Sequence, residues 1–388
     1  MVKHDTYVRH GVLQSQPAPL LPPNPANWLH RNLFATPLDC VVTLILVTLV
    51  LYAGVQLADW LVFDAVWSGP DRAVCATAAQ GGIQPDGWSG ACWAFVRANF
   101  SQVIYGFYPE SQRWRVDVAV VLAVAVNIPL LHPSAGHKFL NALISLIGVP
   151  MAGWLLIYGG HFGLAAIDTQ LWGGLMVTLI IAYTSIALSL PLGTLLALGR
   201  RSRLPVVRLL CVIFIETLRG IPLVAILFIA SVMFPLFLPQ GMTFDKLLRA
   251  LIGIALFTSV YIAEVVRGGL QAVPASQYEA AASLGLRYSS TMGLIILPQA
   301  YRLVIPAIIN TLIGMFKETS LIYIISMFDL MGIVRLASMQ AQWVTPQTPA
   351  TAFVFSGLVF WIFCFLMSRY AHSIEKRLNQ PHRQQDSA

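Results

Sequence analysis

Residues 171–198 read LWGGLMVTLIIAYTSIALSLPLGTLLAL and hold no Asp, Glu, Lys, Arg or His. As a helix rising 1.5 Å per residue this stretch is about 42 Å long, more than the roughly 30 Å hydrocarbon core of a bilayer. Pro191 within it is an expected kink. The rest of the chain has the same character. Apolar residues make up 57% of the 388 and charged residues 11%, whereas a soluble domain is about one quarter charged. A soluble globular protein is therefore excluded. The net charge of +7 does not point to nucleic acid, because the basic residues are scattered at the ends of apolar runs, near where headgroups would lie.

Eight crossings follow from the apolar runs: Cys40–Ala58, Val118–Leu131, Phe139–Tyr158, Leu171–Leu198, Leu209–Leu238, Leu247–Val266, Leu303–Met327 and Ala350–Ser368. The fold expected is an all-α polytopic membrane protein. With the N-terminus in the cytoplasm, fifteen of the 24 Lys and Arg residues fall in inside segments and seven in outside ones, with Arg219 and Lys317 inside crossings. Basic residues favour the cytoplasmic side. An even number of crossings keeps both termini there.

Residues 1–38, polar and Pro-rich, read as a disordered cytoplasmic tail without a cleavable signal peptide. Residues 39–165 hold three crossings and an outside loop at about 59–117. The remaining five crossings have short connections and one long inside loop, 267–302. No internal repeat is visible, which counts against the inverted-repeat plan of many secondary transporters.

That inside loop is RGGLQAVPASQYEAAASLGLRYSSTMGLIILPQAYR. Helix formers from Gln277 to Leu284 predict a short helix, and Gly285 stands where a helix-ending glycine belongs. An amphipathic stretch follows, with Pro298 at the entry to the next crossing. Such an element can seat in a groove on a soluble partner and push on the crossings at both ends.

Glu279-Ala280-Ala281, then Gly285, then Ile295-x-Leu297-Pro298 resembles the EAA motif of ABC importer permeases at every one of those positions. The resemblance implies a type-1 permease core over 171–377 and a coupling helix that docks on an ATPase subunit. Ile215 to Leu223 (IETLRGIPL), Tyr261 to Gly269 (YIAEVVRGG) and Phe316 to Leu321 (FKETSL) are similar to segments of the polar amino-acid permeases. Ser276 departs from the glycine usual there in that group. The outside loop, with Cys92-Trp93-Ala94-Phe95 and Tyr105-Gly106-Phe107-Tyr108-Pro109, resembles permeases of the general L-amino-acid importer of Gram-negative bacteria. The resemblance implies a bacterial inner-membrane subunit that carries L-amino acids from periplasm to cytoplasm. It implies two ATP-binding subunits, a homologous or identical permease, a periplasmic amino-acid-binding protein and surrounding lipid as partners. No G-x-x-x-x-G-K-[ST] phosphate loop occurs, so ATP and Mg are expected on the partners, with no cofactor, metal or catalytic residue on this chain. A permease for another small polar solute, or a stand-alone secondary transporter, is the alternative.

Charges at membrane depth cost at least about 2.5 kcal/mol each, so they are candidates for function. Glu216 and Arg219, three residues apart, share a helix face. They read either as a self-neutralising pair or as part of a translocation path. Glu264 and Arg267 repeat the spacing. Lys317 and Glu318 do not share a face; Lys317 could meet a substrate carboxylate or an acid on another crossing. Thr319 and Ser320 could offer hydroxyls to the path or return them to their own helix. Cys75 and Cys92 share the outside loop, either as a disulfide or as two separate thiols. The loop's aromatic residues suit an interfacial belt or a docking surface.

Overall fold

The computed structural model describes residues 25–131, 136–239 and 244–385. The described chain is helical, and its extended pairing is limited to isolated bridges such as Val66 with Cys92 and Gly174 with Asp329. Six helices are long and apolar enough to cross a membrane, or seven if one sharply bent pair counts as a span. Among the described residues this is close to the expected number of about eight. Two causes account for the difference. The first is the helix Trp114–Leu131, whose apolar part starts only after Arg115 and Asp117. The second is a break in the fifth crossing, described below.

The chain forms two compact units, 1–65 and 66–388. In the first, Pro25–Leu33, expected within the disordered tail, is a helix (α1). The earlier part of that tail lies outside the described residues. Helix α2, Pro37–Ala58, begins with a reciprocal cap: the Thr36 hydroxyl accepts from the Asp39 N–H, and the Asp39 carboxylate accepts from the Thr36 N–H. This satisfies two otherwise orphaned donors at the helix start. It runs on through a wide π turn to Phe63. None of its residues is buried, which suits a helix whose apolar side chains face lipid.

The second unit opens with an irregular cap over 66–113 that contains α3, Trp93–Tyr105. Then follow α4, Trp114–Leu131; α5, Lys138–Tyr158, with a π turn at Ile144–Gly148; and α6, Gly174–Arg200. Pro191 sits within the continuous α6. Helices α4, α5 and α6 meet at a polar knot. Asn127 donates to the Tyr183 hydroxyl (2.8 Å), and Ser145 donates to the Asn127 carbonyl oxygen (3.0 Å). Among apolar neighbours such groups need one another.

The bent pair is α7, Pro205–Gly220, and α8, Leu223–Phe237, turned by 104°. The expected continuous crossing Leu209–Leu238 is thus overturned. Ile221 and Pro222 are extended. Pro222 has no N–H to donate and forbids helical geometry at Ile221. Helix α9, Lys246–Ala272, is the most enclosed span. It lies along α6, where small residues permit close approach. A Cβ placed on Gly193 would sit 2.7 Å from the Ile262 Cβ and from the Ser259 carbonyl oxygen.

The chain continues with α10, Ala275–Ser283; α11, Tyr288–Ile325; α12, Leu330–Ser338; and α13, Thr348–Gln385. The 66–113 cap packs onto α12 and the head of α13 through Phe95, Val334, Trp343 and Ala352. The Cys92 N–H donates to the Thr351 hydroxyl (2.8 Å), and the Arg72 N–H to the Gln342 carbonyl (2.8 Å).

Candidate functional site

The loop between α9 and α11 is built as its residues dictate. Val273 is extended and Pro274 stands at the start of α10. Ala280, Ala281 and Ala282 favour the helix. It ends in a Schellman motif: the Gly285 N–H donates to the Ala282 carbonyl (2.9 Å) and the Leu286 N–H to the Ala281 carbonyl (3.1 Å). Gly285 has φ of +70° with no atom near its absent Cβ, so the backbone alone demands glycine.

Ala281 faces inward and is buried, whereas Glu279 and Ala280 are exposed. Leu297 and Ile295 are half-buried and Pro298 is exposed. A π turn spans Thr291–Ile296 just before the Pro298 entry. The loop is tied down at several points. The Tyr278 hydroxyl donates to the Leu270 carbonyl (2.9 Å), and Gln299 donates to the Gln277 side-chain oxygen (3.3 Å). Around these anchors large apolar side chains are exposed among polar ones: Leu284 is 76% exposed, Tyr288 61% and Leu294 75%, with Glu279, Ser283 and Arg287 also exposed. Large apolar side chains exposed on a polar loop are characteristic of an interaction surface.

Next to the loop lies a network of five charges on three helices. Arg200, the last residue of α6, reaches Glu264 of α9 at 2.7 Å and Glu216 of α7 at 2.8 Å. Arg267 reaches Glu264 at 2.9 Å, and Arg219 reaches Glu264 at 3.7 Å. Glu216 and Arg219 are 4.0 Å apart. The Glu216–Arg219 pair is therefore present but not self-contained: it belongs to an interhelix arrangement in which Glu216 also holds Arg200. Sequence spacing shows i, i+3 neighbours; it has no access to Arg200, which arrives from another helix. Glu264–Arg267 does pair within its own helix.

Lys317, Glu318, Thr319 and Ser320 lie where α11 tightens into a 3₁₀ turn. Lys317 is exposed and has no carboxylate within salt-bridge reach among the described residues. Thr319 is buried and donates to the Phe316 carbonyl (2.7 Å); Ser320 donates to the Lys317 carbonyl (2.9 Å). Both hydroxyls satisfy their own helix.

Just past the C-terminal end of α11, Asp329 caps α12; the sequence reading did not name it. It is fully buried and accepts from the Gly332 N–H (2.9 Å) and the Met331 N–H (3.2 Å). Burial pushes its carboxyl up to about 7, with those N–H bonds pulling the other way. An Asp ahead of a short apolar helix is an N-cap signal, so the residue was legible as a cap. Cys75 and Cys92 are joined in a disulfide, and both are fully buried against the cap and α12.

Fold and loop together define a polytopic membrane transport component. Residues 189–380 match the family described as "Binding-protein-dependent transport system inner membrane component". The inner membrane amino-acid ABC transporter permease protein YhdY of Escherichia coli K12 is 45% identical over 92% of this chain and 96% of its own length. The glutamate/glutamine/aspartate/asparagine transport system permease protein BztC of Rhodobacter capsulatus is 35% identical over 97% of this chain and 99% of its own. The probable amino-acid ABC transporter permease protein YckA of Bacillus subtilis is 32% identical over 53% of this chain and 87% of its own. The chain belongs to the amino-acid permeases of ABC transporters.

Proposed function

We propose that this chain is the membrane-spanning subunit of an ATP-driven importer that moves L-amino acids from the periplasm to the cytoplasm across a bacterial inner membrane. The observation that carries the reading is the loop 275–298: a capped helix, tied to the spans on either side, with Leu284, Tyr288 and Leu294 left uncovered by its own chain. Glu279, Ala280, Ala281, Gly285, Ile295, Leu297 and Pro298 form the seat for an ATPase subunit. Two such subunits supply ATP and Mg, and their closure switches the permease pair between outward and inward openings. A second, homologous or identical permease completes the path, and a periplasmic amino-acid-binding protein delivers the cargo. Both termini are cytoplasmic, with Trp114–Leu131 as the crossing that makes their number even.

Glu216, Arg219, Lys317 and Glu318 border the translocation path in this reading. The partial exposure of Glu216 and Arg219 and the open position of Lys317 support this. Thr319 and Ser320 support the backbone at that level. The core extends over 171–377, and residues 39–165 form an added N-terminal part. That YckA aligns with only 53% of the chain, whereas YhdY and BztC align with nearly all of it, supports this division.

The test is uptake of radiolabelled L-amino acids into proteoliposomes holding the chain with its co-purifying subunits. Uptake that requires ATP and the binding protein is expected. Gradient-driven flux through the chain alone would overturn the reading in favour of a secondary transporter. ATP-dependent uptake of sugars or metals but not amino acids would overturn the cargo.

A further inference from the structure

Arg200 and Arg201 are adjacent in sequence and hold opposite sides of one junction. Arg201 holds the loop: its guanidinium lies 5.8 Å from the centre of the Tyr278 ring and donates to the Tyr278 hydroxyl at 3.4 Å. Arg200 holds the spans, with one nitrogen on Glu264 and the other on Glu216. Glu264 is the centre of this set. It meets three guanidinium groups from three helices, and its side chain is 16% exposed, against 52% for Glu216 and 39% for Arg219. A carboxylate so placed is costly to remove, because its partners are left as unneutralised cations.

The positions of the five residues along their helices give the network a direction. From Glu264, α9 runs on to Ala272 and turns at Val273–Pro274 into α10. Leu270 and Val273 are buried in the same apolar cluster as Ile296 and Ala300, so the end of α9 is packed against the return from the loop. On the other side, Arg219 is one residue before Gly220, where the 104° break between α7 and α8 begins. The network thus joins the helix that carries the loop to the helix that ends at the break.

We propose that Glu264, gripped by Arg200, is a positioning residue that carries displacement of the α10 loop to the break after Gly220. This rests on the importer reading above. An arginine is required because its planar fork serves two carboxylates at once, whereas a lysine ammonium is a single point charge. A network acting only as glue predicts loss of assembly. A network acting in coupling predicts an assembled complex that spends more ATP per molecule moved.

The experiment uses the whole transporter complex in proteoliposomes with a labelled L-amino-acid mixture, and measures ATP hydrolysed per amino acid imported. Glu264→Gln is expected to raise that ratio about tenfold, within the range of ordinary coupling effects. Arg200→Lys, which keeps the charge and is the milder change, is expected to raise it similarly. The double variant is expected to be no worse than either single one, because both remove the same unit. An unchanged ratio in both single variants would overturn the proposal, as would effects that multiply in the double variant. Transport loss that merely tracks loss of assembled complex on size exclusion would also overturn it. If the unaltered complex imports no amino acid at all, the importer reading fails; if it imports normally and Glu264→Gln does too, only this inference fails.

Discussion

Tyr278 donates its hydroxyl to the backbone carbonyl of Leu270, 2.9 Å away across the turn between α9 and α10. The same hydroxyl accepts from Arg201. Tyr278→Phe keeps the ring and removes both bonds. A loss of about 1 kcal/mol is expected from the first. Thermal unfolding of the purified protein in detergent should show a lower Tm, and binding of ATPase subunits in a pull-down should weaken. An unchanged Tm would show that the loop helix is held by the Ala281 packing instead.

Gly285 separates backbone demand from space. Nothing stands within 4 Å of a Cβ built there, yet φ is +70°. The cost of substitution is thus conformational, about 1–2 kcal/mol for a residue that resists the left-handed region. Gly285→Asn should retain most ATP-dependent uptake, because Asn tolerates this geometry. Gly285→Val should lose most of it while inserting normally in membranes, as judged by fractionation and blotting. Equal uptake from the two variants would argue against the capped turn as the coupling element.

Cys75 and Cys92 are 17 residues apart and both buried. Closing a loop of about this length stabilises a fold by about 3 kcal/mol in the chain-entropy account. Replacing both with Ser should lower the Tm and loosen the 66–113 cap, detectable as faster proteolysis between Val66 and Arg113. In the native protein neither sulfur should take a maleimide until the protein is unfolded and reduced.

Asp329 makes stability depend on pH. Its carboxyl titrates near 7 in the fold against 3.8 for the free side chain. Between those values the native state binds more protons than the unfolded chain. Its contribution to stability is therefore full below pH 3.8 and is lost as pH rises through about 7. Asp329→Asn keeps an acceptor for the cap and cannot ionise. Its Tm should vary less than that of the native protein between pH 5 and pH 8. A parallel pH profile for the two proteins would count against this assignment.

Much of this architecture is legible in the residues. Apolar runs located the spans at Phe139–Tyr158, Leu171–Leu198 and Leu247–Val266 to within a turn or so at most of their ends, because hydrophobic length is a local property. Gln277 to Gly285 read as a capped helix for the same reason: helix propensity and a left-handed glycine act over a few residues. The break at Gly220-Ile221-Pro222 was also written locally, in a residue before proline. A hydropathy run passes through it because burial in lipid is indifferent to the direction of the backbone.

From the residues alone come a helical membrane protein, the resemblance of its loop to a coupling element, and the charges that fall within or beside apolar runs. Tertiary structure alone decided which of those charges meet. Arg200 lies 64 residues from Glu264 and 16 from Glu216, yet its two nitrogens rest on both. Coulomb attraction depends on distance in space, and only the packing of α6, α7 and α9 sets that distance. Packing elsewhere likewise buried the Asp329 cap and brought Cys75 against Cys92, and no local pattern of residues contains that burial or that contact.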